Sequence, residues 1–426
     1  MLKTALSGAC RRRDSAAWLL LTAAGAVLPI AMIWEPRFQW TAEIGALCFS
    51  GVLWATQLLL CRWTGYDPWL VPLAGAANVF GLLLAFRLDP QAFYRLVIYS
   101  VLGLLLLLTT VAIARCYPGW PAWYRWSAFT AMGLLLLTAL AGRQVNGAKS
   151  WLFIGGLGLE PSQPAMAFFA LTVGMALGRD VRDLWMAGVA AVLLAGTHNL
   201  GSVLVLVLVL TGTAWLRGWP WRGFAVAAAC FLVLGAVFYL VFPVVPARIA
   251  LWLAPTRGPD SFQMIRAFHG FARGGLWGTG LARSAPQDIP AAGSDFVLAA
   301  WAEIGGVWAT WIILGLYLLY LYRGLRAGAG VFPDAAPAAR ALALLIVCQA
   351  FLLAGGNTGL LPVTGVAMPF LSCGGSTSVG SYLATGMLLS LGPPGEPGRR
   401  ERVVLAVACV AAGILALGAL WRSMGM

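Results

Sequence analysis

Long apolar runs separated by short polar breaks fill nearly the whole chain. Runs fit to cross about 30 Å of hydrocarbon fall near residues 17–34, 42–61, 69–86, 94–114, 124–141, 163–178, 184–197, 200–216, 223–242, 295–322, 339–356, 375–391 and 402–420. They predict roughly thirteen helices, some of them short or closely spaced. The longest stretch without a clear run, 243–294, mixes Ile249, Trp252, Phe262, Ile265, Phe268, Phe271 and Trp277 with arginines. Loops longer than about 15 residues are usually functional or disordered; this apolar content predicts burial against the membrane or a partner. Residues 392–400, Gly-Pro-Pro-Gly-Glu-Pro-Gly-Arg-Arg, cannot continue a helix and predict a linker to the last span. The pattern is that of an all-α polytopic membrane protein with one membrane domain and no separate soluble unit.

Composition agrees: 61% of residues are hydrophobic and 10% charged, against about half and a quarter in soluble domains. The net charge of +13 does not point to nucleic acid, because the arginines gather at helix ends as positive-inside sorting requires. A cytoplasmic N-terminus puts Lys3, Arg11, Arg12, Arg13, Arg62, Arg115, Arg125, Arg179, Arg182, Arg217, Arg222, Arg323, Arg326, Arg340 and Arg399, Arg400 and Arg402 inside. Only Arg37, Arg87, Arg95, Arg143 and Lys149 then occupy the short outer loops. This orientation places 142–162, 243–294 and 357–374 on one extracytoplasmic face. The first run ends in Met32-Ile33-Trp34-Glu35-Pro36, without a small-residue cleavage pattern, and predicts an uncleaved helix.

The cysteines are scattered and the only histidines are His198 and His269, so neither a zinc site, a disulfide framework nor a haem centre is indicated. Gly155-Gly156-Leu157-Gly158 lacks the Gly-Lys-Ser/Thr of a nucleotide loop, so the chain does not look ATP-driven.

The densest chemistry is the punctuation at 359–378, GLLPVTGVAMPFLSCGGSTS. Membrane surroundings tolerate irregular backbone only where it is buried in protein or lines a cavity, so these residues mark a site. Upstream, Asp295 opens an apolar run; an N-cap and a functional acid are evenly matched accounts of it. Glu303, eight residues on and about 12 Å deeper, is a costly intramembrane acid; a polar packing anchor is its blander account, with no basic partner visible on its own run. Lys149 could meet a phosphate, although the loop around it is weak evidence alone, and Trp151 is an ordinary interfacial anchor. His198 belongs to a turn. Arg266, Arg273 and Arg283 could bind an anionic head group as a set, while each singly fits a solvated surface.

Together these segments resemble the SEDS family, the bacterial membrane proteins that include RodA, FtsW and SpoVE and polymerise the glycan of the cell wall. Asn146–Leu152 through Pro161-Ser162 is similar to NGA-x-x-WL through QPSE, and Leu200-Gly201-Ser202 to the end of QPDLGT. Residues 274–280, GGLWGTG, resemble GGL-x-GKG; Ser294-Asp295-Phe296 through Ala302-Glu303 resembles HTDF through AEELG. The 359–378 stretch is close to GLLPVTG-x-PLPF-x-SYGGSS and is the most specific match.

The resemblance implies a ten-helix core over 69–391, with two extra helices in 1–68 and one in 392–426. It implies glycosyl transfer at the outer face of the bacterial cytoplasmic membrane, lipid II as substrate and a class B penicillin-binding protein as partner; it leaves a divalent cation open. Asp295 would be catalytic. Lys149, Arg266 and Arg273 would face the leaving pyrophosphate, with Glu303 also in the substrate site, and Pro362, Gly365, Pro369, Ser372, Gly374 and Gly375 would shape the head-group cavity. Gln163, Met166, Asn199, Thr279, Gly293 and Cys373 depart from the pattern, the first two removing a glutamate and a lysine together. A silent scaffold and a lipid-linked-precursor flippase are the alternatives. A flippase should carry its polar path through to the cytoplasmic half, which these residues do not.

Overall fold

The computed structural model describes residues 15–33, 40–62, 66–117, 119, 124–145, 148–154, 157–255, 261–327 and 335–392. The linker beyond 392 and the expected 402–420 span lie outside the described residues. Each of the other runs forms a helix: α1 Ser15–Ile33, α2 Trp40–Arg62, α3 Leu70–Leu88, α4 Pro90–Cys116, α5 Tyr124–Ala141, α6 Ser162–Gly178, α7 Trp185–Gly196, α8 Leu200–Arg217, α9 Trp221–Val241, α12 Val297–Arg326, α13 Ala336–Thr358 and α14 Gly375–Ser390. The remaining two, α10 Val244–Leu253 and α11 Ser261–Gly274, come from the 243–294 loop.

Not every helix is a full crossing. Among the described residues seven are long and apolar enough to cross, or eight if α9 and α10, bent by 106° at their junction, count as one. The 12 residues of α7 reach only about 18 Å, too short for the bilayer alone. Helix α3 is almost wholly buried, because α1 packs along it on one side while α4, α12 and α14 enclose the rest. Helices α13 and α14 are nearly as buried, so the apolar surfaces facing lipid belong chiefly to α1, α2, α4, α5 and α9.

Two features depart from an all-α expectation of plain loops. The 142–162 segment is a small antiparallel meander, β1 Arg143–Val145, β2 Ala148–Ile154 and β3 Leu157–Leu159. Loop 243–294 is organised: Met264, Ala267 and Phe271 of α11 are buried against the bundle, while α10 keeps no fully buried residue.

Helix α12 is broken in its first third. Gly306 takes φ 67°, ψ −166°, a region open to glycine and closed to side chains. The backbone of 275–280 fills the gap. Thr279 N donates to Glu303 O at 2.9 Å, Gly280 N to Ile304 O at 2.9 Å, and Val307 N to Gly275 O at 3.0 Å. A helix interrupted at membrane depth needs such borrowed partners, since hydrocarbon supplies none. Approach this close requires bare glycines: a Cβ at Gly278 would lie 2.2 Å from Ile304 O, and one at Gly306 2.2 Å from Leu276 O.

Candidate active site

Asp295 lies two residues before the start of α12 and caps nothing: the helix begins at Val297 with Phe296 at its N-cap and no side-chain capping bond. The N-cap account of this acid therefore fails, and its carboxyl is left for other work. Its backbone is fixed by Asn357 at the end of α13, whose Nδ2 donates to Asp295 O at 2.6 Å while Oδ1 accepts from Ala299 N at 3.2 Å. The 368–373 loop locks the preceding residues: Cys373 N donates to Gly293 O at 2.7 Å, and Ser372 Oγ donates to Ser294 O at 3.2 Å while accepting from Met368 N at 2.8 Å.

That loop is itself built deep into the bundle. Asn78 Nδ2 donates to Phe370 O at 2.8 Å and Tyr317 OH donates to Pro369 O. Phe370 sits at φ 64°, unusual for a bulky side chain, with its ring against Tyr320 and Tyr382. Pro369 and Ser372 are thus buried anchors rather than cavity walls. Gly374 opens α14, and Gly375 lies flat on Tyr99, whose ring would sit 1.9 Å from any added Cβ.

The other half of the punctuated stretch forms the wall facing Asp295. Asp295, Gly356, Asn357 and residues 363–366 line a small recess. Helix α10 lies against this wall. One turn apart, Arg248 Nη1 donates to Thr364 O at 2.6 Å and Trp252 Nε1 donates to Gly359 O at 3.1 Å. Gly365, at φ 70°, lets the guanidinium rest on the backbone; a Cβ there would meet Arg248 Nη2 at 3.1 Å. Burial pushes the Asp295 carboxyl above the ordinary aspartate range, and the nearby Arg248 charge and a hydrogen bond from Ser294 counter this only in part. The result is a partly buried carboxyl near the Arg248 cation, at a small recess.

Arg248 and Asn357 are the residues that sequence reasoning missed. Both had a signal: an arginine inside the apolar stretch Val244–Leu253, and an asparagine closing an apolar helix next to the densest motif.

A family model described as a cell cycle protein family, FtsW, RodA and SpoVE, matches residues 83–393. The chain belongs to the FtsW/RodA/SpoVE family. It is 27% identical over 423 residues to the peptidoglycan glycosyltransferase RodA of Mycobacterium bovis, covering 88% of this chain and 90% of that one. It is 32% identical over 291 residues to a probable peptidoglycan glycosyltransferase FtsW of Halomonas elongata, covering 63% and 74%. Among solved structures it resembles a chain from work on the structural coordination of polymerization and crosslinking by a peptidoglycan synthase complex, with TM-score 0.63, 26% identity and coverage of 77% and 97%. The rod shape determining protein RodA of Thermus thermophilus, at 23% identity and TM-score 0.57 over 77% and 97%, shares the fold.

Within this FtsW/RodA/SpoVE chain the other expected site residues separate. Glu303 is fully buried, and its missing basic partner comes from another helix: Arg273 of α11 lies 3.4 Å from Oε1, which also accepts from Ala285 N at 2.9 Å. Arg273 also faces Asp288 at 3.6 Å, so its charge is engaged by two acids rather than left free for a pyrophosphate. Arg266 is exposed over the Phe262 ring at 5.1 Å. Lys149 lies on β2 with Gln144 as its strand partner. Pro362 is half-buried at the recess edge. Thr279, a departure from the family lysine, donates its hydroxyl to Glu303 O at 3.0 Å and so helps close the α12 break. Gly293 and Cys373, two further departures, touch: a Cβ on Gly293 would be 3.2 Å from Cys373 Sγ. Among the described residues no three His, Cys, Asp or Glu side chains gather as a metal site would require.

Proposed function

We propose that this multi-pass membrane protein is a peptidoglycan glycosyltransferase that polymerises lipid II, with Asp295 as general base, at the outer face of the bacterial cytoplasmic membrane. The observation that carries this is an acid freed from helix capping, fixed through its backbone and set in a recess beside Arg248. In the reaction Asp295 takes the proton of the acceptor GlcNAc 4-hydroxyl. That oxygen bonds to the anomeric carbon of the donor MurNAc as the bond to undecaprenyl pyrophosphate breaks, with inversion.

A positioned base contributes about 10² to 10⁴ in rate. Cations aimed at the departing pyrophosphate lower the barrier by meeting charge where it develops; the candidates are exposed Arg266 and, at the recess, Arg248, together with Lys149 of β2. The names of the relatives support the transferase, and the likeness to a chain of a peptidoglycan synthase complex supports a crosslinking partner of the class B penicillin-binding type. No observation favours a silent scaffold or a flippase.

The test is purified protein with its partner and labelled lipid II. Strands from wild type, and none from Asp295→Ala or Asp295→Asn at equal folded content, are expected. Strands of undiminished yield from either variant would remove Asp295 from the chemistry, and none from wild type would favour the scaffold.

A further inference from the structure

A second acid, Glu160, stands where the starts of three helices meet. Its Oε1 accepts from Ser162 Oγ at 2.7 Å, at the first turn of α6, and from Asn199 Nδ2 at 3.2 Å, where Asn199 caps α8 by accepting from Ser202 N. Gln163 adds a further side-chain hydrogen bond. Its backbone N donates to Ser376 Oγ at 2.7 Å, in the first turn of α14. Every polar side chain named here is neutral. Burial pushes this carboxyl above the ordinary glutamate range, and the hydrogen bonds from Ser162, Gln163 and Asn199 counter it; the positive ends of α6 and α8, each equivalent to about half a charge, add to that support.

The family pattern QPSE reads Glu160-Pro161-Ser162-Gln163 in this chain, so glutamine and glutamate have exchanged ends. The carboxylate expected at 163 has moved to 160. Met166 then needs no charge, and Asn199, in place of an aspartate, supplies an amide where a second acid would repel the first. Three departures that look like losses along the sequence thus make one rearranged cluster.

The cluster also reaches the wall of the Asp295 recess. Gly201, two residues beyond Asn199, packs so tightly on the recess wall that a Cβ would lie 2.8 Å from Thr364 O. Ser376 follows the Cys373–Gly375 turn that is bonded to Gly293. We infer that Glu160 is a positioning residue: its carboxylate draws the first turns of α6 and α8 together, its backbone N–H ties them to α14, and together these contacts set the 363–366 wall and the 293–295 segment. The inference rests on the transferase reading for its effect on turnover.

Glu160→Gln keeps the shape and an acceptor oxygen and removes the charge. In nanodiscs it should speed amide exchange several-fold in 199–203, 363–366 and 374–378. It should lower kcat by about ten-fold or more, as small misplacements at a reacting centre do, with KM for lipid II little changed. Glu160→Asp should retain most of both. Unaltered exchange in those segments, or an Asp variant as impaired as Gln, overturns the proposal. If Glu160→Gln does not fold, Ser376→Ala carries the exchange measurement, and unaltered exchange at 160 and 374–378 overturns it equally. Should wild type make no strands, the transferase reading falls while the exchange pattern still decides on the clamp.

Discussion

Burial and Arg248 pull the ionisation of the Asp295 carboxyl in opposite directions. Burial raises the pKa of this acid and the guanidinium lowers it, and only the ionised form accepts a proton. Activity is therefore present above the raised pKa and lost as pH falls through it. The acid limb of the kcat profile should lie above the ordinary aspartate value near 4. Arg248→Ala should move that limb further up and Arg248→Lys should largely hold it; a limb at or below the ordinary value, unmoved by Arg248→Ala, would contradict the assignment. At Glu303 the stakes are structural. Arg273→Ala leaves a buried carboxylate short of its partner and should cost on the order of 2 kcal/mol, reduced by the half-exposed position of the arginine. Arg273→Ala with Glu303→Gln should recover part of that in a double-mutant cycle read by thermal melting. Asp295 and the punctuated stretch were legible in the sequence because their residue types are out of place among apolar runs. Arg248 and the Glu160 cluster were not, since their meaning depends on contacts between segments more than a hundred residues apart for Arg248 and Thr364, and on helix ends whose convergence no spacing records.

At the scale of elements, the helices follow the apolar runs within a few residues, because a chain in hydrocarbon must satisfy its backbone locally. What the runs hid was interruption. The stretch 297–326 is continuously apolar around Glu303, and only the Gly305-Gly306 pair, a common kink signal, hinted at a break. Gly306→Ala and Gly278→Ala each force a side chain into a left-handed backbone and a steric overlap. Each should cost about 2 kcal/mol or more, seen as a lower melting temperature. Gly315, on the same helix with open space around it, should accept alanine without loss.

Over the whole molecule, four sets of contacts gather the chemistry at one end: Arg87 with the carbonyls of Leu281 and Ser284, Gly158 with Tyr99, Cys373 with Gly293, and Arg248 with Thr364. The buried Asp67–Arg323 pair, 2.5 Å apart, marks the other end. The charge pattern predicts that the first end faces outward. In a cysteine-free background, Arg283→Cys should react with an impermeant thiol reagent on intact spheroplasts and Arg182→Cys only after permeabilisation; the reverse would invert the topology. With that orientation, the patch that repairs α12 has a place in time as well as space. Residues 275–280 precede 297–326 in the chain, so in synthesis from the N-terminus the segment that repairs the break emerges before the helix it repairs. The segment that must supply the missing partners is thus made first, and the gap can be filled as the helix forms.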